Sequence, residues 1–183
     1  SYGFYDECLT KLDEPTWYDF NDFFDYLPLA AIVNNEFFCV HGGLSPNLIN
    51  LKDLRDYDRV CEPDLTTFVG HLLWSDPGDV DEWQRTERRC GYLFGEKHCK
   101  DFLDENHLKM IIRSHEMVDG CEIKFKGLLA TIWSAPNYCY FCVNQASFMK
   151  VKEDGSYEFC VFGPMPAERR FPAPKSVNNY FNQ

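Results

Sequence analysis

Apolar residues recur along this chain in two rhythms, a helical one at the start and short strand-like runs later. Phe4, Cys8 and Leu9 fall at helical spacing, which predicts a helix over residues 2–12. Asp13-Glu14-Pro15 breaks it, and proline suits the first turn of the helix that follows. In that second segment Trp17, Tyr18, Phe20, Phe23, Phe24 and Tyr26 recur at intervals of three and four. The spacing predicts a helix that buries its aromatic stripe in the core. Two apolar runs, 27–33 and 36–40, flank Asn34-Asn35, residues that tolerate left-handed backbone, so a hairpin is expected. Short helices are predicted over 51–60 and 64–74, then an acidic loop over 75–83, and a further helix over 97–107. Strands are predicted over 108–112, 121–125, 128–133, 146–151 and 157–162, the last two joined by a turn at Glu153-Asp154-Gly155. From Gly163 onward Pro, Arg, Lys and Asn dominate. The expected organisation is one domain over residues 1–165 with a loose tail at 166–183. Helices first, then strands with helical insertions, imply an α/β or α+β sandwich.

Three of the predicted strands end in polar loops able to carry chemistry: His41-Gly42-Gly43, Arg113-Ser114-His115 and Ser134-Ala135-Pro136-Asn137. If those strands are neighbours, the loops converge on one edge. Each loop has a plain alternative. A single histidine such as His41 is commonly structural, and two nitrogen ligands fall short of the three or more protein groups of a catalytic metal site. Ser134 to Asn137, followed by Tyr138, Cys139, Tyr140 and Cys142, fits a hairpin turn with aromatic packing as well as the rim of a site. Arg88, flanked by Arg85 and Arg89, fits an anion-binding guanidinium and equally a solvated basic turn paired with nearby carboxylates. His71, His98 and His107 read as surface or core-edge residues.

Composition narrows the function classes. The 183 residues are 45% apolar and 16% aromatic, enough for a sizeable core. Asp and Glu number 29 against 18 Lys and Arg, a net charge of −11. That charge disfavours non-specific binding to nucleic acid or anionic lipid. No apolar stretch approaches a membrane span. The nine cysteines are odd in number and irregular in spacing, and Cys139 and Cys142 form a CxxC with no second pair, which argues against a zinc ribbon. Free thiols point to a reducing compartment, the cytoplasm or the nucleus.

Read together, Tyr2-Gly3-Phe4-Tyr5-Asp6-Glu7-Cys8, His41-Gly42-Gly43-Leu44-Ser45-Pro46, Leu73-Trp74-Ser75-Asp76-Pro77, Gly91-Tyr92-Leu93-Phe94-Gly95, Arg113-Ser114-His115-Glu116 and Ser134-Ala135-Pro136-Asn137-Tyr138-Cys139 carry a resemblance. In this order and spacing they resemble the phosphoprotein phosphatase family of serine/threonine phosphatases, over about residues 1–165. Tyr138-Cys139-Tyr140-Phe141-Cys142 is most similar to the type 2A branch with its type 4 and 6 relatives. The resemblance implies a calcineurin-like metallophosphatase αββα sandwich and a centre of two divalent metal ions, manganese, iron or zinc. It implies that His41 and His115 bind the second metal and that Arg88 grips the substrate phosphate. Tyr138 would border the cleft, and Cys139 would mark the loop where inhibitors bind. Phosphoproteins would be the substrates, with scaffold and regulatory subunits as partners. Three family motifs, G-D-x-H-G, G-D-x-x-D-R-G and G-N-H-E, which carry the other ligands and the general-acid histidine, do not occur in this sequence. Phe141 and Val143 replace a usual Arg and Gly, and Arg89 replaces a Gly beside the phosphate arginine. The expectation is therefore the carboxyl-terminal part of such an enzyme, inactive alone. The alternative is a truncated, partner-binding pseudophosphatase.

Overall fold

The computed structural model describes residues 3–88 and 90–170. Arg89 and most of the expected tail lie outside them. Helix α1 (Phe4–Lys11) and helix α2 (Glu14–Asp25) form the first unit. The Asp13 side chain caps α2 by accepting the Thr16 N–H at 2.9 Å, and Pro15 sits in the first turn. The aromatic stripe of α2 departs from expectation. Its rings meet α1 edge-on, Phe4 against Phe20 at 5.4 Å and Tyr5 against Trp17 at 5.3 Å. No residue of α2 is buried, and Tyr18 and Phe23 are 56% and 57% exposed. The two helices satisfy only one side of the stripe, because no sheet face covers the other among the described residues.

The chain then builds a mixed sheet. Strand β1 (Ala30–Val33) turns into β2 (Phe37–Val40) through Asn34 and Asn35, both left-handed with φ near +54 and +53, as the paired asparagines predict. Helices α3 (Leu51–Arg55) and α4 (Phe68–Trp74) follow, shorter than their hydrophobic periods suggest. Strands β3 (Asp76–Pro77), β4 (Gln84–Arg85) and β5 (Tyr92–Phe94) form a small sheet in the order β3-β5-β4; β3 falls within the expected acidic loop, and no strand is expected over 84–94. Strands of two or three residues are too short for a periodic signal. Ser75 Oγ accepts the Tyr92 N–H at 3.0 Å beside the β3–β5 pair. Helix α5 (Glu96–Asn106) leads to β6 (Met110–Arg113), β7 (Cys121–Lys124), β8 (Leu129–Ile132), β9 (Ala146–Val151) and β10 (Tyr157–Phe162).

The main sheet has the order β1-β2-β6-β8-β7, with β2, β6 and β8 parallel. Parallel neighbours end at the same edge, so the three polar loops are delivered together. One face packs through Phe38, Ile111 and Leu129 on α3, α4 and α5, with Leu72, Phe94 and Phe102 among the buried partners. The other face packs through Phe37, Met110, Ile112 and Ala130 on the β9–β10 hairpin, using Met149, Val151 and Phe159. The layers run helices, sheet, hairpin, the mixed α/β sandwich that the strand order implied. Burying each such side chain contributes about 1.5–3 kcal/mol.

His107 ends α5 in a left-handed cap, but His71 and His98 are not surface residues. They are 2% and 7% exposed. His71 Nδ1 lies 2.8 Å from Ser45 Oγ, and His98 Nδ1 accepts the Gly95 N–H at 2.9 Å. Burial lowers the pKa of both, with Arg85 adding to the effect on His71. Lys97 does the same for His98, against Glu82 and Asp101. The unfolded chain therefore takes up these protons first as pH falls. Stability is expected to decline below about pH 6.5 and to be insensitive to these groups above it. Urea denaturation between pH 7.5 and 5 measures the slope. His98→Asn, which keeps an acceptor for the Gly95 N–H, should flatten it; an unchanged slope would rule out a His98 contribution.

Candidate active site

The strand β2 carries His41 to the sheet edge, and the two glycines after it let the chain pass tightly over α4. The Gly42 and Gly43 N–H groups donate to the Leu72 carbonyl at 2.8 and 3.2 Å. A Cβ on Gly42 would lie 2.5 Å from the Leu73 carbonyl carbon. On the neighbouring strand, β6 ends in Arg113, and Ser114 N–H donates to the His41 carbonyl at 3.1 Å, tying the two loops together. His115 follows in left-handed backbone, φ +61, and its Nδ1 comes within 3.3 Å of His41 Nε2. Trp74 packs nearly perpendicular to the His115 ring, with centroids 5.5 Å apart.

Behind the histidines lies a charge network that the sequence did not announce. Arg113 has no exposed side-chain surface. Its Nε donates to the Gly42 carbonyl at 2.6 Å, and its Nη1 to Glu116 at 2.8 Å. Its Nη2 donates to Asp76 Oδ1 at 2.7 Å and to the Ser75 carbonyl at 3.3 Å. The other Asp76 oxygen accepts from Arg88 Nε at 2.6 Å. Asp76 thus fixes Arg88 beside the histidines through one nitrogen of a guanidinium whose side chain is 39% exposed. Arg88 thus pairs with a carboxylate, as expected of a basic turn, and the pairing fixes its position. The expectation for Arg89 lies outside the described residues.

His115 Nε2 is buried without a hydrogen-bond partner, 3.9 Å from Asp76 Oδ1, beyond hydrogen-bond reach. Burial drives the His115 pKa down to about 4, opposed by Asp76 and assisted by Arg88, His41 and Arg113. Desolvation and then Arg113 lower that of His41. Both rings are therefore neutral near pH 7, the form that binds metals. In the tautomer protonated on Nε2, His115 Nδ1 offers its lone pair on the side of His41 Nε2, the arrangement that two imidazoles sharing one metal ion need. Two nitrogens bound at about 2.1 Å to one tetrahedral ion sit roughly 3.4 Å apart. The pair fits half of a metal site. No cluster of three or more potential ligands occurs among the described residues.

The strand β8 supplies the third loop. Trp133 packs edge-on against Tyr138 at 4.8 Å. The loop bends through Asn137, Cys139, Tyr140 and Val143, all at positive φ. Buried Asn144 holds it, accepting the Tyr138 N–H at 2.8 Å and donating to the Ala135 carbonyl at 3.0 Å. Tyr138 and Cys139 thus stand on the same sheet edge as the histidines, on a separate loop. Asp76, Arg113 and Asn144 are residues to which the sequence assigns no role of their own, although Asp76 and Arg113 stand within its motifs. Only Arg113 left a signal, a charge closing the apolar run Met110-Ile111-Ile112.

The calcineurin-like phosphoesterase family model matches residues 4–119. Over 98% of its length the chain is 42% identical to the serine/threonine-protein phosphatase 4 catalytic subunit of Saccharomyces cerevisiae, of which it spans 61%. It is 41% identical to that of Kluyveromyces lactis, again spanning 61%. A solved Saccharomyces cerevisiae protein serine/threonine phosphatase, described as similar to human phosphatase PP5, superposes with a TM-score of 0.83. The match has 31% identity over 89% of this chain and 55% of that one. The family match and the edge geometry agree, and the chain belongs to the calcineurin-like phosphoesterase family.

Proposed function

We propose that this chain is the carboxyl-terminal part of a type 2A-like serine/threonine protein phosphatase that hydrolyses phosphoserine and phosphothreonine in proteins. The observation that carries this reading is the approach of His41 Nε2 to His115 Nδ1 at 3.3 Å with Arg88 anchored alongside on Asp76. His41 and His115 would hold one divalent ion, manganese, with iron or zinc as alternatives. Such ions, when bound as a pair, supply an activated water and a clamp for phosphate oxygens. Arg88 would accept the substrate phosphate on its remaining guanidinium nitrogens, and Asp76 would keep that fork pointed at it. Tyr138 and Cys139 would wall the cleft. The further ligands, and the acid that protonates the leaving oxygen, would come from residues outside this chain. Scaffold and regulatory subunits would be its partners, in the cytoplasm and nucleus.

The test uses the full-length protein with manganese and a phosphothreonine peptide. His41→Ala and His115→Ala should each lower kcat at least about a hundredfold and reduce bound metal. Wild-type turnover and metal content in both variants would sink the reading. A partner-binding role without turnover competes with it, favoured by the two-ligand count among the described residues. Tight manganese binding with turnover by this chain alone would exclude that alternative.

A further inference from the structure

On the helix-covered side of the sheet, a cavity of about 350 Å³ opens between the segment after β2 and helix α5. Its apolar wall includes Ile49 and Phe102, and Trp83 and His98 line it as well. Trp83 lies against the His98 ring at 4.3 Å, and the Gly95 N–H fixes His98 through Nδ1. Asp101 and Glu105 also line the cavity, one helical turn apart on α5.

The charge pattern of α5 separates these two carboxylates from their neighbours. Asp104 is paired with Lys100, and Glu96 with Lys126 at 2.6 Å. Asp101 and Glu105 have no cationic partner among the described residues; Glu105 accepts only from the Asn50 amide at 3.3 Å. The helix thus pairs the acids that face away from the cavity and leaves those that line it for a cation from elsewhere. An aromatic face beside two carboxylates suits a guanidinium, which stacks on the ring while donating to the oxygens. The volume exceeds one side chain, and the exposed Ile49 offers a wall for an aliphatic neighbour.

We propose that this cavity is a docking site for an arginine-containing segment of a partner protein, with the arginine between Trp83 and the Asp101 and Glu105 carboxylates. An aliphatic residue next to that arginine fills the apolar end. The site is separate from the sheet edge that carries His41 and His115 and uses none of its side chains. It stands whether or not the phosphatase reading does.

The probe is the peptide acetyl-Leu-Arg-Leu-amide, titrated into the full-length protein while the Trp83 indole N–H and the His98 ring are followed by NMR. Saturable shifts of both signals are expected. The citrulline counterpart should bind about tenfold more weakly, since it keeps the shape and loses the charge. Asp101→Asn with Glu105→Gln should weaken the arginine peptide by about the same factor, with phosphatase turnover unchanged. Equal binding of the citrulline peptide, persistence in the double variant, or shifts that follow protein concentration alone would each overturn the proposal. The last would mark the cavity as a contact between copies of the chain.

Discussion

Replacing Arg113 with methionine is expected to destabilise the fold by about 3–5 kcal/mol, a large share of the stability of a domain this size. The side chain is wholly buried and joins four acceptors on three segments: Gly42, Ser75, Asp76 and Glu116. Methionine has a similar reach, so packing volume is roughly kept. What is lost is every donor at once, leaving two carbonyls and Asp76 Oδ1 without their partner, while Asp76 Oδ2 keeps Arg88. Glu116→Gln, by contrast, removes only the charge of a partner whose side chain is 37% exposed, and should cost under about 1 kcal/mol. Thermal unfolding of the two variants measures the difference. Similar midpoints would mean that the network contributes little and that Arg113 is held by packing alone.

Gly42→Ala should lower stability by about 1–3 kcal/mol and, in the full-length protein, reduce turnover by about a hundredfold. The added Cβ would meet backbone, not a side chain that can swing away: Leu73 C at 2.5 Å, Leu73 O at 2.6 Å and Trp74 N at 2.7 Å. Relief requires moving the end of β2 or the last turn of α4. The first displaces His41 from His115, and the second displaces Trp74 from the His115 ring. Gly127→Ala is the control. Its φ is +94, yet nothing lies within 4 Å of the new Cβ. It should therefore carry only the backbone strain of about 1 kcal/mol and leave turnover alone. An unshifted midpoint with wild-type kcat for Gly42→Ala would show that the loop is free to adjust.

The elements themselves were largely legible in the chain. Alternating and continuous apolar runs marked β1, β2, β6, β8, β9 and β10, and Asn34-Asn35 marked the hairpin turn, because these signals are local. The short sheet β3-β5-β4 was not, since strands of two or three residues carry no period and form only where partners are brought to them. The α2 stripe was misjudged for a related reason. Helical spacing shows that one face is apolar, and says nothing of whether a second surface is there to cover it.

His41, His115 and Arg88 could be singled out from the sequence because strand ends, glycines and a lone basic cluster are visible one segment at a time. Their distance could not. That His41 and His115 face each other at 3.3 Å follows from β2 and β6 being parallel neighbours, a pairing between residues 74 positions apart. The pairing of Asp76 with Arg113 could not be read either, because a buried ion pair has no local signature: an acidic turn and a strand-end arginine become one network only when the small sheet docks on the large one. The sequence by itself determined which residues were able to do chemistry and that their strands would be buried. The tertiary structure alone decided that they share an edge, which nitrogens meet, and that a carboxylate stands behind them. Desolvation and geometry depend on contacts across the whole chain, and no single segment contains them.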